Sequence, residues 1–135
     1  MADASPQLRP RPTSPHVQVW RWHVTMFSSI AHRVAGAGLY AGAFVLMAWA
    51  LALAGGPDAY ATFTGLAGSL IGKLVLFGLT VCAFYHLANG VRHLAWDAGY
   101  GFAPRTATNT AWLAIAIAVV GAVGFWVLIL TARAG

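Results

Sequence analysis

Polar residues recur at helical spacing near the end of one apolar stretch. His86, His93 and Asp97 lie seven and four residues apart, with Gly90 between the histidines. At about 100° per residue these positions fall within about 40° of one another on an α-helix. Gly90 leaves a groove without a side chain, where a flat macrocycle could lie. A neutral imidazole is a good axial ligand for heme iron, so His86 is a candidate ligand. The alternative, a histidine that only hydrogen-bonds another helix, stays open.

Depth in the membrane separates the two histidines. His86 lies about 16 Å along the helix axis from Asp97, at about 1.5 Å per residue, which places it well inside the bilayer. His93 lies nearer the headgroups, with Arg92 beside it, and this position suits heme propionates. The set contains too few ligands for a zinc site.

A second polar group enters the first apolar stretch. Ser29, His32 and Arg33 fall in one sector of a helix, and ionisable residues in a membrane segment are functional candidates. The alternative is that Arg33 only anchors the helix at the interface and Ser29 caps it.

The composition defines the class of protein. The chain has 135 residues, of which 59% are hydrophobic and 8% are charged. Soluble domains carry about 25% charged residues, so the composition argues strongly against a soluble globular enzyme. The net charge of +5 comes from scattered basic residues, which argues against nucleic acid as a partner. Cys82 is the single cysteine, so any heme would be held without thioether bonds.

Three long apolar stretches predict an all-α integral membrane bundle of three transmembrane helices, over about 27–54, 68–96 and 106–132. Residues 1–26 are expected to form a cytoplasmic tail and interfacial segment, with 27–132 as the transmembrane domain. The pairs Gly38/Gly42 and Gly68/Gly72 predict close helix packing. So small a bundle, with few internal polar contacts, is expected to be completed by helices of another subunit.

The distribution of basic residues predicts the orientation. One group lies on the side of the N-terminus and second loop: Arg9, Arg11, Arg21, Arg33, Arg92 and Arg105. The opposite side has Asp58, Lys73 and Arg133. The positive-inside rule therefore places the N-terminus in the cytoplasm and the C-terminus outside.

Three motifs in order resemble one family. The segments are RPTSPH at 11–16, SIAHRVAG at 29–36 and HLANGVRHLAWD at 86–97. They resemble the patterns R-P-x-S-P-H, S-x-x-H-R-x-[ST]-G and H-x-x-x-G-x-R-H-x-x-x-D of the succinate dehydrogenase cytochrome b subunit. The resemblance covers about residues 11–132. Ala35 departs from the family's usual Ser or Thr, at a position outside the expected site.

The resemblance implies the larger membrane anchor of respiratory complex II, in the inner membrane of a bacterium, which passes electrons from succinate oxidation to ubiquinone. The implied partners are a second small anchor, an iron–sulfur subunit, a flavoprotein subunit and membrane lipid. His86 would be one axial ligand of heme b, shared with the second anchor. The other implied roles are a heme pocket at His32, His93 and Gly90, quinone binding at Ser29 and Arg33, and supporting positions at Arg92 and Asp97.

The chain alone is not a complete enzyme, because it has no iron–sulfur ligands and no flavin motif, and no catalytic residue of its own is expected. Quinone reduction needs two electrons and two protons. A Ser29 hydroxyl can hydrogen-bond a quinone carbonyl, and Arg33 can stabilise negative charge on its oxygen. The alternatives are the anchor of a fumarate reductase and a heme-free structural anchor. A transporter is disfavoured, since no inverted repeat or broken helix pair is evident.

Overall fold

The computed structural model describes residues 19–134, which form four helices. They are α1 (Val24–Ala54), α2 (Pro57–Gly68), α3 (Leu70–Asp97) and α4 (Pro104–Ala134). Three of them, α1, α3 and α4, are long and apolar enough to cross a membrane, so the protein is a multi-pass membrane protein. Residues 1–18 of the segment expected at 1–26, which include the motif at 11–16, lie outside the described residues.

The helix ends follow local chemistry. His23 precedes α1, and its side chain accepts a hydrogen bond from the Thr25 amide, so the helix begins three residues earlier than expected. Pro104 begins α4 in the first turn, where proline is tolerated. Between α3 and α4, Gly99 and Gly101 have φ angles of 87° and 84°, a region that glycine adopts without strain.

Helix α2 was not expected from the sequence, which predicted only the three spanning helices. Pro57 occupies the first turn and Asp58 lies where the helix dipole favours a negative charge. The 12 residues rise about 18 Å, too short to cross the bilayer. Ser69 separates α2 from α3. Its Oγ caps α3 by accepting a hydrogen bond from the Gly72 amide at 3.1 Å.

Small residues bring the three long helices together, and α3 packs against both α1 and α4. The prediction for Gly38 and Gly42 is confirmed: added β carbons would lie 3.0 Å from Cys82 Sγ and from Leu79. Of the second pair, Gly68 has open space around it, whereas a β carbon at Gly72 would meet the α2 backbone at Leu66 and Ala67. On α4 the buried face consists of alanines, at Ala111, Ala114, Ala118 and Ala122.

The bundle has two ends. One end of the bundle contains the start of α1, the end of α3 and the start of α4. We call it the cluster end, because a cluster of histidines lies there. The opposite end, where α1 leads into α2, is the far end.

The α3–α4 contact yields a test of the packing. A β carbon at Gly121 would lie 2.6 Å from the Phe84 ring, whereas one at Gly124 would meet nothing within 4 Å. We expect Gly121→Val to destabilise the protein by about 1–3 kcal/mol through overpacking. Gly124→Val is the matched control, since it adds the same side chain in open space. Thermal unfolding of the purified complex measures the difference, and equal melting temperatures would contradict this packing.

Candidate functional site

Three histidines come together at the cluster end. The ring of His32 on α1 stacks on that of His86 on α3, with centroids 4.0 Å apart and planes 14° apart. The His93 ring lies 5.2 Å from that of His32. His32 and His86 are half-buried and His93 is exposed. The structure thus joins two residue groups that lie more than 50 positions apart in the sequence.

Gly36 allows His86 to lie against α1. A β carbon at Gly36 would be 3.2 Å from Cε1 of His86 and 3.5 Å from its Nδ1. A side chain there would press on the imidazole. No role was predicted for Gly36, which ends the motif at 29–36, although its spacing of four residues from His32 places both on one helix face.

Two ring nitrogens of the cluster are buried without a hydrogen-bond partner, Nδ1 of His32 and Nδ1 of His86. Most buried polar atoms in proteins are hydrogen-bonded, so each exception needs an explanation. A group that binds at the cluster is one such explanation.

Gly90 lies on the same helix between His86 and His93. A β carbon there would meet nothing within 4 Å, so the space beside this position is open. Asp97 is exposed at the end of α3.

Ser29 and Arg33 lie one turn apart on α1, and both are exposed. Neither side chain forms a hydrogen bond within residues 19–134, so both polar groups are available to a ligand or another subunit. They lie at the cluster end, on the same helix as His32, and within residues 19–134 neither forms a hydrogen bond to the histidines.

A buried polar network, which the sequence did not predict, lies beside this cluster. Ser28 Oγ donates to Asn89 Oδ1 at 3.0 Å, and the Tyr85 hydroxyl lies 3.1 Å from both Oγ and the carbonyl oxygen of Ser28. Ser28 and Asn89 are 0% and 1% exposed. Only knowledge of which helix faces pack together distinguishes buried Ser28 from exposed Ser29.

Arg92, expected to lie near the headgroups in a supporting role, points into the bundle. It is 8% exposed. Its Nε donates to Thr110 Oγ1 at 3.0 Å and its Nη2 donates to the Ala107 carbonyl oxygen at 2.9 Å, both on α4. The guanidinium carbon lies 4.0 Å from the centroid of the Trp96 ring, a cation–π contact.

These features define a class: a small multi-pass membrane protein with a histidine cluster between two antiparallel spanning helices. The family model described as "Succinate dehydrogenase/Fumarate reductase transmembrane subunit" matches residues 7–125. The chain belongs to this family, which confirms the resemblance drawn from the motifs.

Individual relatives agree. A succinate dehydrogenase cytochrome b556 subunit of Rickettsia felis is 36% identical over 87% of this chain and 91% of its own length. That of Paracoccus denitrificans is 38% identical over 84% of this chain and 87% of its own. The mitochondrial cytochrome b560 subunit of Sus scrofa is 34% identical over 84% of this chain and 69% of its own.

Proposed function

We propose that this chain is the heme b-binding membrane anchor of a succinate:ubiquinone oxidoreductase, with His86 as one axial ligand and a second anchor subunit supplying the other. The observation that carries the proposal is the His86 ring, held between Gly36 and His32 beside the open groove at Gly90. The relatives named as cytochrome b subunits support it.

The residues at the cluster fit heme better than a bare metal ion. Within the described part of the chain, no group of three or more His, Cys, Asp or Glu side chains is arranged to hold an ion. Heme brings four nitrogen ligands of its own, so it needs only one imidazole from each of two chains. The single cysteine, Cys82, leaves non-covalent binding.

Each residue of the cluster has a separate role in this proposal. His86 would bind the iron, and the bare backbone at Gly90 would leave room for the macrocycle. His32 and His93, with ring nitrogens that can donate, would face the anionic propionates, with Asp97 as a supporting residue at that end. Arg92 donates to α4 and would support the site only by holding the helices together. When bound, heme b supplies a one-electron redox centre.

Ubiquinone is the proposed substrate at Ser29 and Arg33. A serine hydroxyl donates a hydrogen bond to a quinone carbonyl oxygen. The Arg33 guanidinium stays charged and offers several donors, so it favours negative charge on that oxygen as reduction proceeds. The electrons come from the iron–sulfur subunit, since this chain has one cysteine and no ligand set for such a cluster.

The proposed location is the inner membrane of a bacterium, with the N-terminus in the cytoplasm and the C-terminus in the periplasm. The cluster end carries Arg21, Arg33, Arg92 and Arg105, and the far end carries Lys73 and Arg133. This asymmetry favours a cytoplasmic cluster end, where the flavoprotein and iron–sulfur subunits would bind.

The alternative within the family is the anchor of a fumarate reductase, which the family description also names. It runs the same chemistry in the opposite direction, so the ratio of succinate oxidation to fumarate reduction by the purified complex separates the two.

The ligand assignment is tested by His86→Leu. We expect loss or a strong change of the low-spin heme spectrum, because leucine cannot bind iron. His23→Leu is the control, since it removes an exposed histidine that lies before α1. An unchanged bis-imidazole spectrum in assembled His86→Leu complex would show that another residue binds the iron.

The groove is tested by a glycine pair on α3. β carbons at Gly90 and at Gly78 both meet open space in this chain. We expect Gly90→Leu to lower heme occupancy as strongly as loss of a ligand, because its side chain would enter the macrocycle space. Gly78→Leu should leave occupancy unchanged. Heme content per complex is the measurement, and equal occupancy in both variants would place the heme elsewhere.

The quinone site is tested by Ser29→Ala and Arg33→Lys. The first removes a hydrogen bond typically worth about 0.5–1.5 kcal/mol, and the second removes the planar fork while keeping the charge. We expect a several-fold loss of quinone reductase activity relative to succinate oxidation with an artificial acceptor upstream of quinone. Arg105→Lys, an exposed arginine at the same end, is the control. A wild-type activity ratio in both variants would contradict the assignment.

A further inference from the structure

The buried network beside the histidine cluster joins all three spanning helices. Ser28 belongs to α1, Asn89 and Arg92 belong to α3, and Thr110 belongs to α4. Within the part of the chain that the structure describes, every side-chain hydrogen bond between α1 and another helix involves Ser28. The network therefore supplies the side-chain hydrogen bonds that connect α1 to α3.

We propose that Ser28, Asn89 and Arg92 form a positioning clamp that fixes the height and rotation of α1 against α3 and thereby keeps His32 on His86. As a statement about heme, this rests on the proposed function. As a statement about the two helices, it stands on the geometry of this chain.

The remaining α1–α3 interface offers little that would fix the register. On the α1 side it consists largely of small residues, Ala35, Gly36, Gly38 and Gly42, and Leu79, Cys82 and His86 of α3 pack against the glycines. Such a surface allows close approach through van der Waals packing alone, and lipid provides no hydrophobic force between helices. Hydrogen bonds have defined lengths and directions, so Ser28 and Asn89 discriminate between registers where the small residues do not.

The clamp is close enough to the cluster to control it. Ser28 lies one turn before His32, about 6 Å along the axis. On α3, Asn89 and Arg92 each precede a residue of the groove, Gly90 and His93. A slip of one residue would move α1 by about 1.5 Å and turn it by about 100°, which would separate the stacked rings of His32 and His86.

Arg92 secures the other side of the network. Its Nη1 lies 3.5 Å from Ser28 Oγ, a weaker contact than its two bonds to α4. Bonds from a charged donor are stronger than neutral ones, and one planar group serves acceptors on two helices. Lysine has no such fork, so the clamp requires arginine at this position.

The chain contains a reporter for the register. A β carbon at Gly38 lies 3.8 Å from the Cys82 β carbon, close to the typical value of about 3.8 Å in disulfides. Gly38→Cys therefore allows a disulfide between α1 and α3 in the observed register. Its rate of formation under mild oxidation is read by counting free thiols on the affinity-tagged chain, in membranes that hold the whole complex.

The experiment compares adjacent serines in the Gly38→Cys background. We expect Ser28→Ala to slow disulfide formation about three- to tenfold. Loss of one buried hydrogen bond typically lowers, by about this factor, the ratio of helices in the observed register to helices that have shifted. Ser28→Ala should also shift the electron paramagnetic resonance signal of the low-spin heme. Ser29→Ala should form the disulfide at the parent rate. Asn89→Leu removes the Ser28–Asn89 hydrogen bond from the α3 side. It still tests the clamp if the chain with Ser28→Ala does not insert into the membrane.

The clamp is overturned if Ser28→Ala and Asn89→Leu react as fast as the parent, or if Ser29→Ala is slowed equally. If disulfide formation is slower but the heme signal is unchanged, the register of α1 against α3 does not control the position of His32 on His86, and that part of the proposal is overturned. If the unaltered complex has no heme signal, the proposed function fails, while disulfide formation still decides whether the clamp exists.

Discussion

Lipid gives apolar helices no hydrophobic reason to associate, and this constraint governs the arrangement of the three spans. Their surfaces are apolar on most sides, with large exposed side chains along α1, α3 and α4. Association must come from close backbone approach and from polar contacts. The buried alanines of α4 and the glycines of α1 provide the first. The second is concentrated at Ser28, Asn89 and Arg92.

The candidate site follows from the same constraint. Because Gly36 carries no side chain, α1 approaches α3 closely enough for His86 to lie against it. His32 then stacks on His86, and the unpartnered Nδ1 atoms lie at the contact between the helices. The histidines are therefore held at the α1–α3 interface. The buried residues Asn89 and Arg92 hydrogen-bond to the neighbouring helices between the cluster residues His86 and His93.

Much of this could be predicted from local patterns. The apolar lengths predicted three spans, and the spacing of His86, Gly90 and His93 predicted a common stripe, because both depend only on helix geometry. Helix α2 was missed, since Gly55, Gly56 and Pro57 resemble a simple stop and the segment after them has no strong apolar period. Ser28 was missed because its burial depends on how α1 turns toward α3, which no local pattern specifies.

A structure of the purified complex, with its native cofactor and all subunits, tests this account most directly. We expect a macrocycle in the groove at Gly90, its iron bound by the His86 imidazole and by a histidine of a second anchor subunit. We also expect His32 to remain beside His86. Iron bound by other residues, or a groove at Gly90 filled by lipid or by a helix of another subunit, would contradict this account.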